Sequence, residues 1–169
     1  MTFQKLFLSG INIGSMAAMR GSFWFTLTAI PVLGSNVFFP LKDLLDLQFT
    51  LMMFFFGLIL GVISCLLSSL LPGIVGGIVL AFWLDKRKIN SPKELWILGG
   101  LVGGLAGLTT SIAVFVRISR DGFGEAFFPF NEVGFIIGAC LATLIACWAG
   151  IWAALKLHQI IMDPVITNK

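Results

Sequence analysis

Few side chains in this sequence could do chemistry. Arg20, in Met19-Arg20-Gly21-Ser22, is the one charge within the apolar stretch 6–39. An arginine at the centre of a membrane helix costs about 3 kcal/mol or more, so such a residue is a functional candidate by default. If the first span begins at Gly21, however, Arg20 falls at the membrane surface. Residues 1–20 then form an interfacial segment with a polar stripe of Lys5, Ser9, Asn12 and Ser15. That interfacial placement is the expectation. His158, two residues after Lys156, is the single histidine. Haem and metal sites need further ligands, and Cys65, Cys140 and Cys147 lie in apolar runs with no CxxC spacing and no histidine nearby. They read as small packing residues, no metal is expected, and the sequence assigns no cofactor.

The densest polar mixture is 117–132, where Arg117, Arg120, Asp121, Glu125, Asn131 and Glu132 stand among Phe123, Phe127, Phe128 and Phe130. Asp121-Gly122 is a turn signal, and Asn131 suits the N-cap of a following helix. Aromatic rings beside charges fit a loop that docks at the headgroup level or on a partner. A substrate-binding role for Arg117, Arg120, Asp121, Glu125, Phe127 and Phe128 is the sharper and less favoured reading. No HExxH, GxSxG or P-loop motif occurs, and 49–84, 95–116 and 133–155 contain no carboxylate. Catalysis is therefore not expected, and proton-driven transport lacks its usual intramembrane acid.

These residues have to be held by something, and composition says what. The chain has 169 residues, 58% hydrophobic and 11% charged, with a mean hydropathy of +1.02. Soluble domains carry about 25% charged residues. A soluble fold this apolar could not cover its own surface, so lipid is the solvent for most of the chain. The net charge of +3 does not point to nucleic acid. Its dense run, Lys86-Arg87-Lys88, follows Trp83-Leu84 at the end of an apolar segment and reads as a cytoplasmic topology signal. Met1 to Leu8 has a faint signal-peptide look, but Ser9, Gly10 and Asn12 interrupt its apolar core, so a retained segment is expected.

The expected fold is all-α: one polytopic transmembrane bundle over 1–169, with spans near 21–39, 49–84, 95–116 and 133–155 and a polar tail at 156–169. The run 49–84 is the ambiguity. As one helix it measures about 54 Å, against about 30 Å of hydrocarbon. It is either one span kinked at Pro72 or two short spans turning near Ser68–Gly73. Four spans put more of the Lys and Arg on the side of loop 85–94 than five do, and four is preferred. Loop 85–94 and the C-terminus then lie on the cytoplasmic side of a bacterial inner membrane or an organellar equivalent. Trp83, Trp96, Trp148 and Trp152 fit headgroup-level positions on that side.

The stretch GGLVGGLAG at 99–107 is mostly glycine, a poor helix former in water. On a helical wheel Gly99, Gly103 and Gly107 share an arc with Gly100, Gly104, Ala106, Thr110 and Ser111, opposite Leu98, Leu101, Leu105, Leu108 and Ile112. The last span repeats the pattern: Gly138, Ala142, Ala146, Ala149, Gly150 and Ala153 oppose Ile137, Leu141, Leu144 and Trp148. The second run carries a narrower stripe of Gly57, Gly61, Ser64 and Ser68. Lipid tails are as apolar as leucine, so helices in a membrane associate through close backbone approach rather than through burial of leucine. Gly57, Gly61, Gly99, Gly103, Gly107, Gly138, Ala142 and Ala149 are therefore the expected helix-packing positions.

The segment Gly103 to Ser111, with Gly-Gly-Leu followed by Thr-Thr-Ser, resembles a Gly-Gly-Leu-Thr-Thr-Phe-Ser-Thr stretch of the small fluoride channels. Gly10-Ile11-Asn12-Ile13-Gly14 with Arg20 is a fainter echo of their N-terminal segment. The second run of this chain lacks the pore-lining asparagine of those channels, and the assignment is not carried over. The leading expectation is a non-catalytic accessory or assembly subunit of a larger membrane complex, with the bilayer and other membrane subunits or its own copies as partners. The alternative is a small homo-oligomeric channel or transporter lined by Thr109, Thr110, Ser111, Ser64 and Ser68.

Overall fold

The computed structural model describes residues 2–38, 44–87, 91–121 and 132–162. Those residues form four helices: α1 Phe3–Phe38, α2 Leu44–Arg87, α3 Pro92–Asp121 and α4 Glu132–Met162. Three stretches, Leu58–Arg87, Pro92–Ala113 and Ile136–Met162, are long and apolar enough to cross a bilayer.

Local chemistry explains two of the helix starts. The amide of Leu6 donates to the carbonyl of Thr2 at 3.1 Å, and that of Leu95 to the carbonyl of Ser91 at 3.2 Å. Thr and Ser are favoured at this half-in position because their hydroxyls can accept from an otherwise orphaned amide. Pro92 follows Ser91, where a missing N–H costs nothing, and Glu94 sits in the first turn of α3, where the helix dipole favours an anion. At the other side of this connection Lys86 and Arg87 occupy the last turn of α2, the end that favours cations. The Arg87 guanidinium also lies 5.0 Å from the Trp83 ring centroid.

Helix α1 has no break between residues 20 and 21, where the sequence suggested a boundary between a surface segment and the first span. Its first half is packed: Leu6, Ile13, Ala17 and Ala18 are buried. Helix α2 runs unbroken through Pro72, so no turn divides 49–84. Proline there removes one backbone hydrogen bond, which membrane helices tolerate when neighbours and Ser or Thr side chains re-satisfy the freed group. Uninterrupted, α2 has 44 residues, about 66 Å, more than twice the hydrocarbon thickness.

Neighbouring helices run antiparallel. Gly10 of α1 lies beside Gly77 and Ile78 of α2, and Gly14 beside Gly73. In the same way Gly99 of α3 lies beside Gly150 of α4, and Gly107 beside Thr143. Helices α2 and α3 meet at Gly76 and Val102, and α1 and α4 at Gly21 and Ala149. Helices α2 and α4 also touch across the diagonal. Phe3 packs on Phe82 with ring centroids 5.2 Å apart, which sets the start of α1 at the same end as the close of α2. The start of α3 and the close of α4 are at that end too. There the core gathers: Leu6, Leu80, Leu84, Leu95, Leu98, Ala153 and Leu157 are all buried together.

Candidate functional site

Among the described residues, backbones of neighbouring helices approach closely at several glycines. A Cβ built on Gly14 would collide with the carbonyl oxygen of Gly73, and one on Gly77 with that of Gly10. In the α3–α4 pair the same holds for Gly103 against the carbonyl of Ala146 and for Gly150 against that of Gly99. A Cβ on Gly107 would stand 2.7 Å from that of Ala146, and one on Gly99 2.7 Å from the Cα of Ile151. Real Cβ atoms do not come so near, so these positions admit no side chain unless the helices separate. Other glycines are roomier. A Cβ on Gly100 would touch Ile151 at 3.9 Å and one on Gly21 would touch Ala149 at 3.8 Å, both ordinary contacts.

The structure thus places Gly99, Gly103 and Gly107 against α4, with Ala142 contributing its carbonyl beside Gly107. Ala149 is buried beside Gly21 of α1. Gly138 is half-buried on α4 and Gly61 half-buried on α2, while Gly57 lies on α2 with its surroundings outside the described residues. The tight glycines of the first hairpin escaped the sequence reading. Gly10 and Gly14 fell in the segment assigned to the membrane surface, and Gly73 and Gly77 stood just past Pro72, where a turn was an open possibility. The available signal was the Gly-x-x-x-Gly spacing on both helices.

Polar side chains also meet between α1 and α2: the hydroxyls of Ser22 and Ser69 lie 2.7 Å apart, with Ser22 buried, and Thr26 hydrogen-bonds the Cys65 thiol. Most other hydroxyls serve their own helix. Ser68 donates to the carbonyl of Ser64 at 2.9 Å, Thr110 to Ala106 at 2.8 Å, Ser111 to Gly107 at 2.9 Å and Thr143 to Ala139 at 2.8 Å. Back-bonding of this kind lets a Ser or Thr sit in hydrocarbon without an unmet donor. Thr109 likewise donates to Ala106 at 2.9 Å, so the donors of Ser68, Thr109, Thr110 and Ser111, four of the residues that the channel alternative places along a pore, are occupied.

Arg20 is exposed on α1, and its guanidinium carbon lies 4.2 Å from the centroid of the Trp152 ring on α4. Among the described residues it has no carboxylate partner and no hydrogen-bond acceptor. Arg117, Arg120 and Asp121 lie on the closing turns of α3 rather than in a loop. Glu125, Phe127 and Phe128 lie outside the described residues, as do Asn131 and the tail from residue 163. The Nε2 atom of His158 is buried without a hydrogen-bond partner, and no group of three or more His, Cys, Asp or Glu that could hold a metal occurs among the described residues.

The described residues define an all-helical protein with three stretches long and apolar enough to cross a membrane. No protein-family model, no curated protein and no solved structure matches the chain.

Proposed function

We propose that this chain is a non-catalytic accessory or assembly subunit of a larger integral membrane complex, and that it acts by helix packing. The reading takes α1 as a fourth span beside the three long apolar stretches, with loop 85–94 and the end of α4 on the cytoplasmic side. Small-residue faces hold each hairpin together, through Gly10, Gly14, Gly73 and Gly77 in the first and through Gly99, Gly103, Gly107, Ala146 and Gly150 in the second.

The observation that carries the proposal is the uneven distribution of packing. Buried residues gather toward the end where α2 and α3 connect. On α2, residues 58–76 contain no buried position, and residues 108–112 of α3 and 136–148 of α4 contain none either. Helix α2 there combines exposed Ile59, Leu60, Ile63 and Leu67 with half-buried Gly61 and exposed Ser64. Large apolar side chains next to small residues offer the relief that an incoming membrane helix packs against. The small faces of α3 and α4 are spent on each other, so a partner would be received on α2 rather than on the glycine arc of α3.

The test is native mass spectrometry of the tagged chain, extracted in mild detergent from its own membrane. Unlike subunits in fixed ratio support the proposal and identify the complex. A homo-oligomer that conducts anions in liposomes would overturn it in favour of a channel.

A further inference from the structure

We infer that the α1–α4 seam is a binding site for the phosphate of an anionic glycerophospholipid, with Arg20 as its principal ligand and Lys156 as its second cation. A guanidinium presents five N–H donors and cannot be neutralised in a protein. Here the guanidinium carbon lies 4.2 Å over the Trp152 ring, and no acceptor for any of the donors occurs among the described residues. A cation–π contact supplies no hydrogen-bond acceptor, and the guanidinium fork matches two oxygens of a phosphate.

Gly21 lies against Ala149 and Ser22 turns toward Ser69 of α2, which leaves Arg20 on the outer side of the seam. Its guanidinium is thereby set at the level of Trp152. Lys156 lies one helical turn further on the same face of α4 and is exposed, and among the described residues it donates to the Gln159 side-chain carbonyl at 3.2 Å. Trp152 and Lys156 close an apolar run that extends back to Val133, which is where a bilayer's headgroups begin.

Trp24 is one turn beyond Arg20 on α1 and Trp148 one turn before Trp152 on α4, and both are exposed. One turn from the guanidinium on each helix, they would offer a bound lipid apolar walls for its upper acyl chains. A free anion has no use for such walls, whereas a phospholipid fills them with its glycerol backbone and tails. The site stands apart from the proposed assembly role, since it uses α1 and α4 rather than the exposed part of α2.

The experiment is native mass spectrometry of the full chain, delipidated and then offered equimolar phosphatidylglycerol and phosphatidylcholine. The wild type should retain phosphatidylglycerol preferentially. Arg20→Gln should bind it about tenfold more weakly, the equivalent of losing one charge-assisted hydrogen-bonded contact, while Lys156→Gln should show a smaller loss. Inorganic phosphate at matched ionic strength should not compete. Equal retention of the two lipids by the wild type would overturn the proposal, a result that needs no variant to fold. So would undiminished phosphatidylglycerol binding by Arg20→Gln, and so would full competition by inorganic phosphate, which would make this a free-anion site.

Discussion

At the scale of single residues, the two classes of glycine in α3 make opposed predictions. Replacing glycine by alanine gains about 0.8–1.0 kcal/mol of helix propensity in water, while overpacking a close contact costs about 1–3 kcal/mol. Gly103 faces a backbone carbonyl that cannot swing aside, so the packing cost wins at Gly103→Ala. Gly100 has room for a methyl group at ordinary contact distance, and there the propensity gain stands alone. Thermal unfolding in detergent should show Gly103→Ala destabilised and Gly100→Ala unchanged or slightly more stable. Equal effects would mean that α3 and α4 do not approach as closely as the Gly103–Ala146 contact requires. The Ser22–Ser69 bond invites a smaller expectation, since interhelical hydrogen bonds in membrane proteins average about 0.6 kcal/mol. A double-mutant cycle with Ser22→Ala and Ser69→Ala should return a coupling of about that size, and zero coupling would show that the hydroxyls do not pair. Segregation of small from large side chains along 97–116 was legible in the sequence because a helix has a fixed period. Which helix faces that arc was not, because periodicity orients a face and says nothing of its neighbour. Trp152 under Arg20 was hidden for the same reason: the two residues are far apart in sequence and share no pattern.

At the scale of elements, the continuity of α2 and the joint location of helix ends make a topological prediction. The connection between α2 and α3 lies at the same end of the bundle as the close of α4, and the start of α2 lies at the opposite end. In a background lacking Cys65, Cys140 and Cys147, single cysteines at Ser91 and Gln159 should react with a membrane-impermeant maleimide from one side only. A cysteine at Gln48, exposed near the start of α2, should react only from the other. Labelling of Gln48 and Ser91 from the same side would mean that α2 doubles back within the membrane despite its unbroken helix. The sequence left this choice open because proline has two effects that it cannot weigh. In water a mid-helix proline costs about 3 kcal/mol and ends most helices. In lipid a turn at the same place would strip several backbone groups of partners with no water to replace them, so one lost bond is the smaller cost. The close packing of the first half of α1 was hidden for a related reason. Lys5, Asn12 and Arg20 give its first half a polar look, yet Gly10, Gly14, Ala17 and Ala18 pack it closely against α2.

At the scale of the whole molecule, the described residues are closely packed near one end of the bundle and sparsely packed along 58–64, 108–112 and 136–144. Local opening of a structure follows its local packing, and segments with few buried contacts exchange their amide hydrogens first. Residues 6–26, 77–84, 95–107 and 149–157 hold the buried positions, whereas 58–64, 108–112 and 136–144 hold none. In detergent the first group should exchange more slowly than the second. Detergent around both groups excludes water alike, so a difference in rate reports protein packing rather than solvent access. If an assembly partner covers α2, then in the native complex the segment 58–64 should slow toward the rate of the packed end, while 95–107 changes little. That selective protection separates a bound subunit from a lipid-covered monomer, because lipid would cover the exposed faces of all four helices without preference. Uniform exchange along the purified chain would remove the asymmetry on which the assembly proposal rests. Uniform slowing in the complex would place the partner elsewhere than on α2.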